Sequence, residues 1–517
     1  MLAQPDKDDL TAQRTARPRR PRRLWPLLAL VAAGVFALAF YRLGECGICK
    51  GNEAVEAVFI QQMVERGKLL FPSVNGGSPM YKPPLFHWTA AALDHLMGMR
   101  KVTPFNFRLP AALYTVGGVV LTMGFAYGVI SADGAILAGV ILLSAHQYIR
   151  LGRMGRVDIA LTFFETLALF AFWWWFDRQR QSGPRRGAAM IYLCAAAMGL
   201  AVLAKGPVGA MLPGLAIGIF LLLEGKPAQV LRRIPPGAVA LAVAVGGSWY
   251  AAGYLGARHA LLSRQLGSEN FGRFFGALGS APPWFYLGPL LFGSLPCSLI
   301  APAAVAAVLT DRGPHRDEPE AERERAAMKL LAIFWLVTLV FFSVAAYKSR
   351  WYLLPLWPAA AVMLAWWIGR IARRYQRRAI ASGFAALCAG VALFNLFYIP
   401  HQEARECARY SYRAAAAGIR SLVPALQPLY AAGFVDEDFA PLLFYLDRDA
   451  PFISTDLAKA PPGYIIVPGE LWDRHQDYAR GFQLVMRSAQ GRRKPVLLRH
   501  FDHQERGKRG TGGGIER

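Results

Sequence analysis

Basic side chains recur at the ends of long apolar segments in this 517-residue sequence, where they could bind an anion. The stretch "GGSPMYKPPLFHW" places Lys82 between a tyrosine and two prolines, just before an apolar aromatic run. Lys205 follows an unbroken apolar segment and precedes Gly-Pro, which should end the helix and hold the ammonium at its boundary. Further cations at comparable positions are Arg156, Arg273, Lys348 and Arg350.

These cations are costly near a membrane unless they are paired, extend to the interface or bind an anionic ligand. Taken singly, each is typical of a side chain that reaches the lipid interface, and Lys205 could serve only a structural turn. Their accumulation on one predicted side favours a shared anion. A lipid phosphate would suit them, so we predict that all six bind substrate.

Three carboxylates are predicted on the same side as these cations. Glu53 and Glu56 lie on a segment with apolar residues at helical spacing, and Asp158 begins the apolar run "DIALTFF". A carboxylate that faces a bound acceptor can act as a general base. Structural roles stay open, since Glu56 could lie on a solvated helix face and the other two could stabilise helix N-termini. We predict Glu53 and Asp158 as the catalytic carboxylates.

Apolar runs long enough to span a bilayer, about 17 to 24 residues each, recur from Leu24 to Tyr398. With a retained first helix and a cytoplasmic N-terminus, eleven spans place every basic cluster inside, as the positive-inside rule requires. The predicted spans lie near 24–43, 107–130, 134–150, 157–176, 187–204, 207–223, 236–255, 286–309, 328–346, 350–369 and 377–398.

The segments outside these spans give the predicted domain organisation. A basic cytoplasmic tail covers residues 1–23, the membrane domain covers 24–399, and its first external loop, 44–106, carries amphipathic helices. Residues 400–505 show short strand-like stretches, "PLYAAGFV", "GYIIVPG" and "KPVLLRHF", and predict a small external α/β domain. The tail 506–517 has the composition of a disordered segment.

The formal net charge of +24 does not predict a nucleic-acid partner, because the basic residues sit in short clusters beside apolar runs. Cys46 and Cys49 form a CxxC pair with no second pair or nearby histidine, so a local disulfide or unpaired thiols is favoured over zinc. His87 and His95 have no second ligand at the spacing of one helical turn. We assign no metal and no cofactor; nothing in the sequence supports a divalent ion.

Five segments then carry a resemblance to a known family. They are "GNEAVEAVFIQQMVERGKLLFPSVNGGSPMYKPPLFHW", "RMGRVDIALTFF", "GLAVLAKGPVGAMLP", "ENFGRF" and "YLLPLWPAAAVML". In order and spacing they resemble the bacterial GT-C glycosyltransferases related to protein O-mannosyltransferases, and most closely the branch that includes the 4-amino-4-deoxy-L-arabinose lipid A transferase. The resemblance covers roughly residues 24–400, and KPPL and KGP are its most specific parts.

The resemblance implies a mainly α, polytopic GT-C helix bundle of about 11–13 spans in a bacterial inner membrane. It also implies an enzyme that moves a sugar from a polyprenyl phosphate carrier to a periplasmic acceptor, with inversion at the anomeric carbon. Lys82, Lys205 and Arg273 would bind the donor phosphate and Tyr352 would line the same cavity. Fixed cations in such a cavity stabilise the charge that develops on the departing phosphate.

Two departures from the family pattern leave the substrates open. Relatives commonly have Asp-Glu where this chain has Asn52-Glu53, and the lipid A branch usually has Glu where this chain has Tyr81. Glu53 or Asp158 would then serve as the base, unless an amine or phosphate acceptor needs none.

Lipid A or another envelope glycolipid is the favoured acceptor, a protein acceptor is the next alternative, and a polysaccharide or cell-wall polymer is the third. A flippase for anionic lipids and an inactive relative that only binds polyprenyl phosphate also stay open.

Overall fold

The computed structural model describes residues 25–500 except 78, 183–186, 226, 257, 278, 312–318 and 475–480. The predicted basic tail 1–23 and the whole of the predicted disordered tail 506–517 therefore lie outside the described residues, as do residues 501–505. Within the described part, a helical membrane region precedes a small sheet. Its first helices are α1 (Trp25–Phe40), α2 (Gly51–Arg66), α3 (Leu85–Leu96), α4 (Pro104–Val129), α5 (Ala132–Ser144), α6 (His146–Gly152), α7 (Val157–Ser182), α8 (Ala188–Lys205) and α9 (Val208–Leu223).

The remaining helices of the membrane region include several short ones. They are α10 (Pro227–Leu231), α11 (Pro236–Leu255), α12 (His259–Ser263), α13 (Arg273–Phe275), α14 (Leu287–Phe292), α15 (Cys297–Thr310), α16 (Pro319–Val344), α17 (Leu356–Arg374) and α18 (Arg378–Tyr410). The next helix, α19 (Arg413–Leu422), packs against helix Asp436–Leu446 and strand Phe482–Arg487 of the C-terminal region. A π-helical segment, Arg264–Gly272, leads into α13, and 3-10 turns cover Pro283–Tyr286 and Arg350–Leu353.

Seven helical segments of the described chain are long and apolar enough to cross a membrane, or up to nine if each of two bent pairs is one span. The bent pairs are α5 with α6, at 71°, and the Pro283–Phe292 segment with α15, at 109°. Helices α1 and α9 are apolar but shorter. Each of the eleven predicted spans coincides with one of these apolar segments, and the predicted multi-pass membrane protein of mainly α class is confirmed.

Helix α8 ends as its sequence predicts. Gly206 follows Lys205 with φ of 105°, a left-handed conformation that favours glycine, and its N–H donates to the carbonyl of Val202. Pro207 then starts the next helix, where the missing N–H costs nothing. The Gly-Pro pair therefore holds the Lys205 side chain at the junction of two apolar helices.

Helix α2 lies in the loop predicted to carry amphipathic helices, and it is more buried than the pattern indicated. Ten of its sixteen residues are buried, including both Glu53 and Glu56. It packs against α3 and against α20 (Asp436–Leu446) of the C-terminal region. The helix is therefore enclosed between the membrane region and the C-terminal region.

The C-terminal region contains a five-stranded sheet in the order β2-β1-β3-β5-β4. Its strands are β1 (Leu429–Ala432), β2 (Phe452–Ile453), β3 (Gly463–Val467), β4 (Phe482–Arg487) and β5 (Val496–His500), with α21 (Gly469–Arg474) and a 3-10 turn at Leu457–Lys459 between them. Strands β1, β2 and β3 are parallel, and β3, β5 and β4 are antiparallel. Strands β1, β3 and β5 fall in the three predicted stretches, whereas β2 and β4 were not predicted.

The turn before α7 is tightly packed around Gly155. A Cβ at this position would collide with the buried ring of Phe107. We expect Gly155→Ala to lower the free energy of unfolding by about 1–3 kcal/mol, because close-packed interiors do not accept an added methyl group. Thermal unfolding in detergent measures the change.

Gly124→Ala is the matched control, because a Cβ there meets open space and the residue lies inside α4. Alanine has a higher helix propensity than glycine inside a helix, so the control variant should keep or slightly raise the unfolding temperature. Equal effects of the two substitutions would contradict the packing argument.

Candidate active site

A cavity of about 360 Å³ lies where the loop before α3, the end of α8, the π-helical segment and the 3-10 turn before α17 meet. Its lining includes Lys82, Lys205, Arg273 and Tyr352. These four residues come from separate elements and are the same four that the resemblance assigned to one site. The structure therefore brings them together around a single space.

The rest of the cavity wall is mostly apolar. Its aromatic residues are Phe271, Phe274, Phe275, Phe341, Phe342, Tyr81 and Tyr347. Phe271 and Phe275 are exposed on the surface of the protein. The cavity thus combines fixed cations with a wall that an apolar chain can contact.

Each cation of the cavity is already paired with a carboxylate. Lys82 pairs with Glu56, Lys205 Nζ lies 2.5 Å from Asp158 Oδ1, and Arg273 Nη2 lies 2.5 Å from Glu269 Oε2. The Glu56 and Asp158 side chains are almost completely buried, at 2% and 4% exposure. Pairing of this kind is what makes charged groups tolerable at low solvent exposure.

Glu56 is held by two partners on the loop and helix that follow it. Besides Lys82, the Nε2 atom of His87 lies 2.6 Å from Glu56 Oε2. We assign the proton to Nε2, because an ionised carboxylate can only accept. Burial alone would raise the pKa of Glu56, but the charges and hydrogen bonds of Lys82 and His87 outweigh it and lower the pKa to about 2. Glu56 is therefore ionised at neutral pH and fixes the Lys82 ammonium.

Tyr352 links the other two cations. Its hydroxyl accepts a hydrogen bond of 3.1 Å from Arg273 Nη1, and the Lys205 ammonium lies 4.5 Å from the centre of its ring. Asp158 also accepts from Arg156 Nε at 3.0 Å. Arg156 thus adds a second cation to the carboxylate that holds Lys205.

The remaining predicted site residues are not on the lining of this cavity, within the part of the chain that the structure describes. Arg156 donates to the Asp158 carboxylate. The Lys348 ammonium donates to the carbonyl of Ala345 at 2.5 Å. The Arg350 guanidinium lies 5.2 Å from the centre of the Trp351 ring. Asp158 reaches the site only through Lys205.

Glu53 takes part in a different buried ion pair. Its Oε1 atom accepts from Arg108 Nε at 2.7 Å and from the backbone N–H of Gly155 at 3.2 Å. Glu53 therefore joins α2 to α4 and to the turn before α7, and among the described residues it is not part of the cavity wall.

Two carboxylates with clear positions at the site were not selected from the sequence. Glu269 lines the cavity, and its spacing of four residues from Arg273 was the available signal. The amphipathic pattern around Glu56 is also typical of a solvated helix face, and the pairing of Glu56 with Lys82 across 26 positions leaves no sequence signal.

A smaller cavity, of about 60 Å³, shares Lys82 and Tyr81 with the first. Its other polar lining residues are Asn52, Arg264, Asp436 and Glu437. Asn52 therefore lines a cavity that shares two residues with the main one.

Glu56 should make the stability of the protein depend on pH. Its folded pKa of about 2 lies below the ordinary 4.5, so its contribution is complete above pH 4.5 and is lost as the pH falls towards 2. This pKa shift corresponds to a contribution of roughly 3 kcal/mol to the free energy of unfolding. We expect Glu56→Gln to unfold at a lower temperature than the unmodified protein at pH 7. Between pH 5 and pH 3, the unfolding temperature of the variant should fall by less than that of the unmodified protein.

Glu45→Gln is the control, because Glu45 forms an exposed pair with Arg42. This variant should show the acid-induced loss of the unmodified protein. An equal loss in Glu56→Gln and in the unmodified protein would contradict the assignment of the buried pair.

Comparison with known proteins bears on the fold and on the resemblance. Residues 64–226 match the model of the family described as dolichyl-phosphate-mannose-protein mannosyltransferase. The chain is 27% identical over 337 residues to an uncharacterised protein of Aquifex aeolicus, covering 65% of this chain and 62% of that protein. It is 28% identical over 394 residues to the undecaprenyl phosphate-alpha-4-amino-4-deoxy-L-arabinose arabinosyl transferase of Pseudomonas aeruginosa, covering 74% of this chain and 66% of that one. The chain thus covers slightly less than two thirds of these relatives.

Two solved structures share the fold over most of the chain. ArnT from Cupriavidus metallidurans, bound to undecaprenyl phosphate, matches with a TM-score of 0.75 at 18% identity, over 91% of this chain and 97% of ArnT. The oligosaccharyltransferase AglB from Archaeoglobus fulgidus matches with a TM-score of 0.58 at 13% identity, over 89% of this chain and 71% of AglB. These findings confirm the predicted GT-C fold and the predicted resemblance to the glycosyltransferase branch that includes the 4-amino-4-deoxy-L-arabinose transferases.

Proposed function

We propose that this protein is an integral-membrane glycosyltransferase that moves a sugar from undecaprenyl phosphate or a related polyprenyl phosphate to an acceptor. The favoured acceptor is lipid A or another envelope glycolipid. The protein would lie in a bacterial inner membrane with the N-terminus in the cytoplasm and the cavity and C-terminal sheet in the periplasm, as the distribution of basic loops requires.

The observation that carries this proposal is the composition of the cavity wall. Lys82, Lys205 and Arg273 converge on one space whose other walls are mostly apolar and rich in aromatic residues. A polyprenyl phosphate has a phosphate head that such cations bind and an apolar chain that such walls contact. The relatives named for undecaprenyl phosphate, and the ArnT structure that binds it, have the same fold or a similar sequence.

The paired carboxylates suggest how the cations serve the reaction. In the structure, Glu56, Asp158 and Glu269 neutralise the three cavity cations. As the bond between the anomeric carbon and the phosphate oxygen breaks, that oxygen gains negative charge. The cations are already in place to stabilise it, so little reorganisation is needed during the reaction.

The predicted general bases are both engaged by cations. Asp158 lies between Lys205 and Arg156, and Glu53 is bound by Arg108. Glu56 has a pKa of about 2, too low for efficient proton abstraction near pH 7. We therefore propose that these carboxylates position the cations, and that the acceptor is a nucleophile such as a phosphate that needs no strong base. It would displace the carrier phosphate in one step, with inversion.

Lys82→Ala and Lys205→Ala should each abolish or strongly reduce transfer, because each removes a cation from the phosphate site. Removing one preorganised donor of this kind typically costs about 10²–10³ in rate. The measurement is mass spectrometry of lipid A and other envelope glycolipids, comparing cells that carry each variant with cells that carry the intact protein. A mass difference of one sugar identifies both the transfer and the sugar.

Lys101→Ala is the matched control, since Lys101 forms an exposed pair with Asp447 and neither residue lines the cavity. It should leave the glycolipids unchanged, and all three variants should remain folded in detergent. Full activity of both cavity variants would refute the phosphate site. Loss of transfer to a protein, with unchanged glycolipids, would instead identify a protein acceptor.

Asn52→Asp tests whether a base is missing. Asn52 lines the small cavity that shares Lys82, so a carboxylate there could approach an acceptor. If the acceptor needs no base, the rate of transfer should change little. A general base typically contributes at least about 10²-fold in rate. If the rate of transfer rises by about that factor from a near-zero baseline, the unmodified protein is an inactive relative of the transferases. Initial rates with purified protein and a polyprenyl-phosphate sugar provide the comparison.

A further inference from the structure

Three cysteine side chains from two distant parts of the sequence meet beside helix α2. Cys46 and Cys49 lie in the loop before this helix, and Cys407 lies near the end of α18. Their sulfur atoms are all within 4.8 Å of one another. Cys46 and Cys49 are buried and Cys407 is half-buried, and among the described residues none of the three is in a disulfide.

The third thiol changes what the sequence alone favoured. A single CxxC pair gave weak support for a metal, whereas three convergent sulfurs form most of a tetrahedral thiolate site. Zinc–sulfur bonds of about 2.3 Å place the sulfurs of a tetrahedral site about 3.8 Å apart. Shifts of at most about 1 Å would therefore close the three sulfurs on one ion.

The backbone already gathers two of the sulfurs around one point. The Sγ atoms of Cys46 and Cys407 both donate to the carbonyl of Gly47, at 3.3 and 3.4 Å. The Tyr445 hydroxyl accepts from the N–H of Ile48 at 2.6 Å, which fixes the loop between Cys46 and Cys49. This contact uses no thiol proton, so it persists when the thiols lose their protons to bind an ion.

Two cationic side chains lie beside the cluster. Arg108 donates to the carbonyls of Cys46 and Gly47, at 2.7 and 3.2 Å. The Arg413 guanidinium stacks 5.5 Å from the centre of the Tyr445 ring, beside Gly47. Arg108 is already paired with Glu53, so the Arg413 guanidinium would balance the single net negative charge of a zinc ion with three thiolates.

We propose that Cys46, Cys49 and Cys407 bind one Zn²⁺, with water as the fourth ligand. The three thiols release three protons to solvent and three zinc–sulfur bonds form, so no oxidant is required. The ion ties the loop before α2 to α18. It thereby fixes the start of the helix that carries Glu53 and Glu56, and it is separate from the sugar-transfer reaction.

Zinc content of the full-length protein tests this site without any activity measurement. The protein is purified in detergent with a thiol reductant, incubated with Zn²⁺, desalted and analysed by elemental mass spectrometry. We expect one zinc per chain, lost in Cys407→Ser and in Cys49→Ser. Cys194→Ser is the matched control and should keep the zinc, because Cys194 is a buried cysteine of α8 outside the cluster.

Cadmium provides an optical readout on the unmodified chain, so the test does not depend on the folding of a variant. Addition of Cd²⁺ should produce a near-ultraviolet sulfur-to-cadmium absorption, and prior alkylation of the thiols should abolish it. Equal zinc content in the unmodified protein and in both cluster variants would overturn the proposal. So would a disulfide among the three cysteines in protein taken from acid-quenched, alkylated cells.

Discussion

The cost of keeping cations at low solvent exposure constrains the whole site. Lys82, Lys205 and Arg273 can stay charged around a largely apolar cavity only because a carboxylate is bound to each. Those carboxylates come from three different places: α2, the start of α7 and the π-helical segment. The cavity therefore exists only if the external loop, the membrane helices and the segment before α13 fold against one another.

Much of this arrangement could be predicted from the sequence, because the signals were local. Long apolar runs located all eleven apolar helical segments, and the Gly-Pro pair after Lys205 located the end of α8. Alternating apolar stretches located three of the five strands. Strand β2 has two residues and β4 has an irregular, mostly exposed pattern, so neither carries a periodic signal.

The partners of the site residues could not be predicted in this way. Glu56 meets Lys82 across 26 positions and Asp158 meets Lys205 across 47, and no local pattern relates such pairs. Cys407 lies still farther from Cys46 and Cys49. The sequence pattern of an amphipathic helix predicts that a carboxylate such as Glu56 is solvated. In the folded protein α20 and the loop around Lys82 cover this helix, which only the tertiary structure shows.

The pairing also bears on what the site can bind. The three cavity cations and their three carboxylates together are close to neutral. A bound phosphate adds negative charge, so each cation must then interact with both its carboxylate and the phosphate. Lys205 and Arg273 are both in contact with Tyr352, whose hydroxyl is a neutral acceptor on Arg273 that a phosphate oxygen can replace. Arg273 is therefore the cation most readily redirected to a ligand, whereas Lys82 is held by a carboxylate that His87 also binds. Arg273 would therefore turn to the phosphate when the ligand binds, so that all three cations are in place before charge develops on the departing oxygen.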